Sequence, residues 1–490
     1  MADERDLPAV PERPDARDVP RVGVDEWVAQ VEERRIRRRG LVGLVERAWR
    51  WSPEPARLAV FVAVAASLPL FLSSGNLYRY GLFTLVYALL ALGLNTVVGF
   101  AGLLDLGYVA FYGFGAYSYA LLSSDHYDIH WPAEASIPVI MVASALLGLL
   151  LGLPSRRLLG DYLAIVTLFF GQAFVVFVNN ANPRGLTGGA NGIPNVDPLS
   201  VFGFELTTTR DYFYFTLAAF TVVMAGLYFA TKSRTGRAWQ ALREDPLAAE
   251  AMGMPVNRLK LLAFAFGAAI AGLAGCIFAA VITGAYPGNF DISLVILIYA
   301  VVILGGMGSL AGVVIGAIVI NVAYEFLNPA ADQLDQARLL FYGIVVVALV
   351  TKLRPWPRAA AALAGTVVFG LAAHEAVERA WPSATRGEVI DAGFLENPIA
   401  SWVVVAADPG TLGDFAYIGL VVAIVLVSRM RGWWRTLAVI PTLYLVAVVW
   451  ENLLVHQPAV TRLILFGALL IALMMAHPQG LLGTTRVEVV

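Results

Sequence analysis

Five polar side chains lie within otherwise apolar stretches of the sequence: Asn95, Asp105, Tyr108, Thr167 and Gln172. A polar or ionisable side chain at membrane depth is costly, so such residues mark a functional site by default. The chemistry that they offer is hydrogen bonding to a polar solute, and we predict that they line its path. The alternatives are that Asp105 caps the next helix or lies in water, and that Thr167 and Gln172 hydrogen bond between helices.

The sequence offers little for catalysis or metal binding. His126 and His130 stand beside two aspartates, but no third partner is evident, so a solvated loop is favoured over a metal site. The lysines follow Thr or Leu rather than Gly, so the Gly-Lys-Ser/Thr core of a phosphate-binding loop is absent; they are Lys232, Lys260 and Lys352. We expect no enzyme activity, no metal and no cofactor bound by this chain. If ATP drives it, another chain hydrolyses the ATP.

The longest positively charged loop, residues 232–260, contains the signals of a short helix. Asp245 is an N-cap residue and Pro246 suits the first helical position. Gly253 supplies a left-handed C-terminal cap, so a helix is predicted from Leu247 to Met252. Such a helix is shaped to dock in a groove of a partner, and the alternative is a solvated loop helix. The candidate contact residues are Glu244, Asp245, Ala249, Glu250, Ala251 and Gly253.

A row of glycines stands between two apolar segments. Gly308, Gly312 and Gly316 recur every four residues, a spacing that places them on one helical face and lets two helix backbones approach closely. We predict tight helix packing at these three positions, within the chain or against a second membrane subunit. Gly305 and Gly306 also suggest a break between two half-helices, a feature that often lines substrate paths.

The composition indicates that membrane-spanning helices position these residues. Of 490 residues, 59% are apolar and only 14% charged, against about 25% charged in ordinary soluble domains. The formal net charge of -2 gives no reason to expect a nucleic-acid partner, and a single cysteine excludes a disulfide within the chain. Many apolar runs approach bilayer-spanning length. We predict an all-α, polytopic transmembrane bundle with fourteen apolar segments, at 56–74, 82–100, 103–123, 136–153, 162–180, 212–231, 261–284, 292–305, 310–327, 338–351, 359–377, 414–428, 436–454 and 462–477.

The distribution of arginine and lysine predicts that both termini are cytoplasmic, because cytoplasmic loops carry the excess of positive residues. Six such residues lie from Lys232 to Lys260, whereas the loops at 124–135, 285–291 and 328–337 contain none. Residues 1–24 are rich in Pro, Asp and Arg, so we predict disorder there and no cleavable signal peptide. Residues 25–51 read as a basic amphipathic helix on anionic headgroups, or else as a solvated helix.

Near the C-terminus one stretch resembles an earlier one. Residues 338–353 match residues 462–477 at an offset of 124 residues. The chain passes through four apolar segments over that length, counting one copy of the repeated segment. An inserted or duplicated block of about four spans explains the match, and chance similarity of two apolar helices is the alternative. The predicted organisation is a cytoplasmic N-terminal extension at 1–55, a permease core at 56–353, an inserted transmembrane block at 354–461, and a terminal transmembrane helix with a short cytoplasmic tail at 462–490.

Six stretches in order resemble the membrane subunits of ATP-binding-cassette importers for branched-chain amino acids, specifically the Liv-type M permease, and the related urea-importer permeases. They are GLNTVVGFAGLLDLGYVAFYGFGAY, GDYLAIVTL, LTGGANGI, GRAWQALREDPLAAEAMGMPVNRLKLLAFAFGAAIAGLAG, VVILGGMGSLAGVVIGA and RLILFGALLIALMMAHPQGLLG. They cover roughly 80–353 and 462–483. The N-terminal extension and the inserted block depart from the family pattern, so their roles stay open.

The resemblance implies a transporter subunit that works by alternating access. Its implied partners are a homologous second permease, two cytoplasmic ATPase subunits that use ATP, an external solute-binding protein and membrane lipid. It also implies that the loop containing Ala249, Glu250, Ala251 and Gly253 seats in the ATPase. The implied location of the chain is the bacterial plasma (inner) membrane. Urea, amides or other amino acids remain alternative solutes. An ion-gradient-driven secondary transporter is the main alternative class, and an integral membrane enzyme ranks last.

Overall fold

The computed structural model describes residues 54–155, 161–180, 184–326, 338, 341–343, 345–346, 349–350, 356–382, 396–406, 409–430, 432–454, 467 and 480–481. The predicted disordered and amphipathic N-terminal segments and the second copy of the repeat lie almost entirely outside these residues. The chain divides into two units, Met1–Ser67 and Leu68–Val490. In the first unit the described residues belong to a helix, α1, which spans Glu54–Phe71 and so continues into the second unit.

Helices make up most of the described residues. Helix α2, Phe83–Leu94, lies between two π-helical stretches, Leu77–Leu82 and Asn95–Phe100, and a three-residue helix, Ser74–Asn76, precedes the first of them. The numbered helices after α1 are α2 Phe83–Leu94, α3 Tyr108–Leu122, α4 Ala133–Ser155, α5 Asp161–Asn180, α6 Thr209–Lys232, α7 Arg234–Glu244, the short α8 Pro246–Ala251, α9 Val256–Val281, α10 Ile292–Gly305, α11 Leu310–Phe326, α12 Trp356–Ala380, α13 Pro409–Arg429 and α14 Trp433–Val449.

In the described part of the chain the strands are short and lie in the connections between helices. They are β1 Ser123–Ser124, β2 Ile129–His130, β3 Ile193–Pro194, β4 Ser200–Val201, β5 Phe204–Glu205 and β6 Gly284–Ala285. They form three antiparallel pairs, β1 with β2, β3 with β6 and β4 with β5. Short helical turns are Arg184–Thr187, Gly189–Asn191, Pro287–Phe290, Glu396–Ala400 and the π-helical Trp450–Leu454. The fold is therefore a helical bundle, as predicted.

Eight of the described helices are long and apolar enough to cross a membrane. A bilayer core needs about 20 apolar residues in helical form. The predicted count of fourteen segments stays a prediction, because it includes segments outside the described residues. The eight candidate spans are Ser74–Phe100, Ala133–Pro154, Tyr162–Asn180, Thr209–Lys232, Val256–Val281, Pro287–Gly305, Pro357–Ala380 and Trp433–Asn452.

Helix α9 lies at the centre of the second unit, packed against α2, α3 and α4. Small residues allow this, because glycine leaves the backbone open to close approach. Gly115 on α3 faces the backbone of Gly272 on α9, and Gly275 faces the carbonyl of Tyr112. Cys276 is fully buried in the same contact, where its thiol lies 3.7 Å from the carbonyl oxygen of Gly115.

The predicted break at Gly305 and Gly306 is present, since α10 ends at Gly305 and α11 begins at Leu310. Gly306 has a φ of 109°, in the left-handed region that favours glycine. Gly312 and Gly316 pack tightly within the chain, against the backbone of Gly305 and Val301 respectively. Helix α11 therefore folds back against α10.

The prediction that Gly308 shares a helical face with Gly312 and Gly316 was wrong. Gly308 precedes α11 and has a φ of 84°, so it belongs to the turn between the two half-helices. The four-residue spacing was continued across a helix boundary, because the sequence pattern does not show where α11 starts. Gly308 has another role, described below.

Within 354–461 the described helices are α12, α13, α14, the short helix Glu396–Ala400 and the π-helical turn Trp450–Leu454. Helix α14 packs against both α12 and α13. Phe341, from the segment that precedes the block, stacks on Trp450 with ring centroids 3.9 Å apart. Asn452 holds the loop before α13, accepting from the Ala406 N–H at 2.9 Å and donating to the Val404 carbonyl at 2.7 Å. The block thus packs on residues of the segment 338–350.

Candidate functional site

Asn95 joins two helices that are interrupted inside the bundle: α2 passes into the π-helical stretch Asn95–Phe100, and α10 ends at Gly305 before α11 begins. It is fully buried where the π-helical stretch Asn95–Phe100 begins, and its Oδ1 accepts a hydrogen bond from the Gly308 N–H at 2.8 Å. Its Nδ2 is buried and has no hydrogen-bond partner among the described residues. The side chain therefore fixes the first interrupted helix to the turn between α10 and α11, and leaves one donor available.

The hydrogen bond between Asn95 and Gly308 requires glycine at position 99. A Cβ built on Gly99 would overlap the Oδ1 of Asn95 and crowd the backbone nitrogen of Gly308. Glycine is the one residue without a Cβ, so it permits the close approach. Gly99, Asn95 and Gly308 form what we call the helix junction.

Arg243 reaches the helix junction from α7. Its guanidinium donates to the carbonyl oxygen of Gly99 at 2.5 Å and to that of Met307 at 3.5 Å. Its side chain also lies against Gly102, where a Cβ would meet the Arg243 side chain. Sequence reasoning missed this residue. The only available signal was its position in the positive loop, where it was one of six cationic residues.

Asp105 lies in a turn at the start of α3 and is fully buried, not in water. Its Oδ1 accepts from the Gly107 N–H at 3.0 Å, which stabilises the turn. It does not cap α3, because the N-cap residue of that helix is Gly107 and no side chain caps it. The hydroxyl of Tyr299 donates to the Asp105 carbonyl oxygen at 2.7 Å and accepts from its N–H at 3.0 Å. The Asp105 Oδ2 is buried without a hydrogen-bond partner in the described part of the chain.

Thr167 and Tyr108 support the same turn. The Thr167 hydroxyl accepts from the Leu106 N–H at 2.9 Å and donates to the Ala164 carbonyl at 3.1 Å. The Tyr108 hydroxyl donates to the Gly267 carbonyl on α9 at 3.2 Å. Both side chains are buried. The Thr167 hydroxyl thus joins α5 to the turn before α3, and the Tyr108 hydroxyl joins α3 to α9.

Gln172 does not join this group. It lies on α5, where it is exposed on the surface of the bundle. The structure therefore brings Asp105, Tyr108 and Thr167 to one turn and places Asn95 at the helix junction. The fifth residue of the predicted path lies apart from them.

The predicted short helix is present as α8. The Asp245 carboxylate accepts from the N–H groups of Leu247 and Ala248 at 2.8 and 3.1 Å, and Gly253 has a φ of 78°. These are the N-cap and the left-handed C-terminal glycine that the sequence predicts. The helix ends at Ala251, one residue earlier than predicted.

Helix α8 presents a mixed apolar and acidic surface. Leu247 is 73% exposed and Met252 81% exposed, and Glu250 is exposed beside them. Glu244, Asp245, Ala251 and Gly253 are exposed too. Ala249 is the exception, since it is buried against the bundle and anchors the helix. Large apolar side chains that stay exposed beside charges are typical of a protein interaction site.

Helix α7 anchors the loop to the bundle. Trp239 is buried and its indole N–H donates to the Leu259 carbonyl on α9 at 2.9 Å. It packs in one apolar cluster with Leu242, Ala249 and Phe100. The segment from Arg234 to Ala251 is thus attached to the region of the helix junction.

Among the described residues no group of three or more His, Cys, Asp or Glu side chains could hold a metal ion. The arrangement instead combines membrane-length helices, interrupted helices that meet in the interior and a capped helix with an exposed apolar surface. These features define a multi-pass membrane permease.

The chain belongs to the family of permease components of branched-chain amino acid transport systems, whose family model matches residues 76–350. The members of this family are membrane permeases and not enzymes. This chain is likewise a membrane permease and not an enzyme.

Curated relatives agree with this family. The chain is 35% identical over 317 residues to the high-affinity branched-chain amino acid transport system permease protein LivM of Salmonella typhimurium, covering 60% of this chain and 72% of the relative. The LivM of Escherichia coli strain K12 matches with the same identity and coverage. The Salmonella permease LivH is 27% identical over 280 residues, covering 54% of this chain and 88% of LivH. No solved structure matches.

Proposed function

We propose that this chain is the M-type permease subunit of an ATP-binding-cassette importer, with branched-chain amino acids as its solutes. The observation that carries the proposal is the exposed, doubly capped helix Pro246–Ala251 in a chain of the branched-chain permease family. A helix held this firmly at both ends can receive force from a partner without unwinding. The exposed Leu247 and Met252 supply the apolar surface for a groove in the ATPase.

The proposed complex contains this chain, a homologous second permease, two cytoplasmic ATPase subunits and an external solute-binding protein. Relatives of both the LivM and the LivH kind match this chain, which supports a permease pair. ATP is bound by the ATPase subunits. The complex is placed in the bacterial inner membrane with both termini of this chain in the cytoplasm, which agrees with the positive loop at 232–260.

The proposed mechanism is alternating access. Closure of the ATPases pushes on α8, and the interrupted helices open toward one side of the membrane at a time. Asn95 and Asp105 are the candidates for contact with the solute, because each has one buried polar atom without a hydrogen-bond partner among the described residues. Tyr108 and Thr167 hold the turn in place, and Gln172 has no part in the path.

The test is to purify the wild-type complex gently from its native membrane and to identify the copurifying proteins by mass spectrometry, beside Glu250→Arg. We expect ATPase subunits and a second permease with the wild-type chain, and loss of the ATPases from the variant. Glu205→Arg is the matched control, because Glu205 is an exposed carboxylate in β5, far along the chain from α8. Wild-type chain that purifies alone and still transports would overturn the proposal.

The solute is tested in proteoliposomes that contain the purified complex and its solute-binding protein. We expect uptake of labelled leucine, isoleucine and valine that requires internal ATP. Uptake of urea in place of these amino acids would reject the proposed solute class while leaving the importer intact.

A further inference from the structure

Arg243 connects the loop that carries α8 with the interior of the bundle. It lies in the last turn of α7, two residues before the N-cap Asp245. Its guanidinium leaves this loop and binds the carbonyl oxygens of Gly99 and Met307. These two carbonyls are in the two interrupted helical segments, which are more than 200 residues apart in sequence.

The two carbonyls are suited to a cation. Gly99 lies at the C-terminal end of the π-helical stretch Asn95–Phe100, and Met307 lies in the turn after α10. Carbonyls at helix ends lack partners within the helix and carry the negative end of the helix dipole. The planar guanidinium can donate to both at once, which the single ammonium of lysine does less well.

The backbone around Arg243 leaves room for its side chain. Gly102 and Gly308 both have positive φ values, 70° and 84°. A Cβ at Gly102 would crowd the aliphatic part of Arg243, and one at Gly308 would crowd its guanidinium. The arginine therefore passes between two glycine turns, one in each interrupted segment.

Asn95 and Arg243 act on the same helix junction from different directions. Asn95, at the start of the π-helical stretch, hydrogen bonds to the Gly308 N–H. Arg243 links Gly99, at the end of the same stretch, to Met307 in the turn that contains Gly308. A displacement of α7 and α8 must therefore move or release the Gly99 and Met307 carbonyls. Arg237, on the same helix, instead donates to the carbonyl of Lys232 in its own loop at 2.9 Å.

We propose that Arg243 is the positioning residue through which movement of the helix Pro246–Ala251 sets the junction of the two interrupted helices. It acts on the solute path through the Gly99 and Met307 carbonyls and does not touch the solute. This inference rests on the proposed function, in which an ATPase moves that helix. Without Arg243 the ATPases bind and hydrolyse ATP, but the junction no longer follows their movement.

The test uses the complete complex in proteoliposomes, with wild type, Arg243→Gln, Arg243→Lys and the control Arg237→Gln. Three quantities are measured: recovery of the ATPases, the rate of ATP hydrolysis and the number of ATP molecules hydrolysed per solute transported. We expect Arg243→Gln to keep the ATPases while the ATP used per solute rises at least about 5-fold, a typical size for coupling between sites. Arg243→Lys restores part of the coupling, and Arg237→Gln behaves as wild type.

If the assembled Arg243→Gln complex hydrolyses as many ATP molecules per solute as wild type, this inference is overturned and the proposed function is not. Equal losses of hydrolysis and uptake that lysine does not restore overturn it too, since they indicate a merely structural role. If Arg243→Gln does not fold, Gly102→Ala crowds the arginine and keeps its charge, and unchanged coupling in that variant overturns the inference. If no ATPase subunits copurify with the wild-type chain, the proposed function is overturned and this inference with it.

Discussion

The guanidinium of Arg338 and the carboxylate of Glu451 form a two-point ion pair inside the protein. Nη2 lies 2.8 Å from Oε2 and Nε lies 3.1 Å from Oε1, and the side chains are 0% and 1% exposed. The Tyr342 hydroxyl donates to the same carboxylate at 3.4 Å. The pair joins the segment before the inserted block to the π-helical turn Trp450–Leu454, which follows α14.

Glu451→Ala should destabilise the chain by about 3 to 5 kcal/mol, because it removes the carboxylate that pairs with the buried Arg338 charge. The measurement is thermal or denaturant unfolding of the purified complex in detergent. The matched control is Glu375→Ala, which removes an exposed partner of Arg379 and should cost below about 1 kcal/mol. Equal effects of the two substitutions would show that burial of the Arg338 pair contributes nothing.

Gly99→Ala should reduce uptake strongly, because the added methyl group meets the Asn95 amide and the Gly308 nitrogen. An overpacked interior typically costs about 1 to 3 kcal/mol. Initial rates of uptake in proteoliposomes measure the effect, with the amount of assembled complex determined in parallel. Gly226→Ala on α6 is the control, since a Cβ there meets nothing within 4 Å. Normal uptake by Gly99→Ala would contradict the proposed role of the helix junction.

Asp245→Ala should loosen α8, because two N–H groups lose their acceptor. Loss of an N-cap costs about 1 kcal/mol. Hydrogen exchange of residues 246–251 should become faster, and fewer ATPase subunits should copurify. Asp245→Asn keeps a capping oxygen and should retain most of both properties. Unchanged exchange in Asp245→Ala would mean that the cap does not stabilise the helix.

The loop between α3 and α4 should respond to pH through His130. A hydrogen bond with Asp197, at 2.6 Å, raises the pKa of His130 above its ordinary 6.5, and the neighbouring Asp125 acts in the same direction. The folded protein therefore holds the proton more tightly than the unfolded chain. The contribution to stability is complete below the unfolded pKa and is lost as pH rises through the raised folded pKa.

Proteolysis of the β1–β2 hairpin at a series of pH values measures this effect. Cleavage should increase as the pH rises above about 6.5. His130→Gln and Asp197→Asn should each abolish the increase, whereas His126→Gln should retain it. A wild-type pH dependence in His130→Gln would assign the change to another group.

Sequence reasoning succeeded where the signals are local. Asp245, Pro246 and Gly253 determine α8 through backbone geometry within a few residues, so its position was predictable. The break after Gly305 was predictable for the same reason. The pairings of Asn95 with Gly308 and of Arg338 with Glu451 were not, because their partners are more than 100 residues apart in sequence.

Apolar periodicity also loses its power in a membrane protein. In water, a polar residue on an apolar helix indicates the solvent face, whereas lipid and protein interior are both apolar. Thr167 and Gln172 lie on the same helix, five residues apart, yet one is buried and the other exposed. The sequence gives no sign of this difference. Arg243 was missed because a cationic loop residue is not expected to bind carbonyls in the bundle.

The buried position of Cys276 has a practical consequence. It is the one cysteine in the sequence, and it lies on α9, where the contact with α3 leaves it fully buried. Maleimide reagents should not reach it in the folded protein. A cysteine introduced at the exposed Gln240 on α7, outside the proposed docking surface, would then accept a spin label or fluorophore selectively, without prior removal of the natural thiol of this chain. Spectroscopic distances from α7 could thus be followed through a complete ATP cycle.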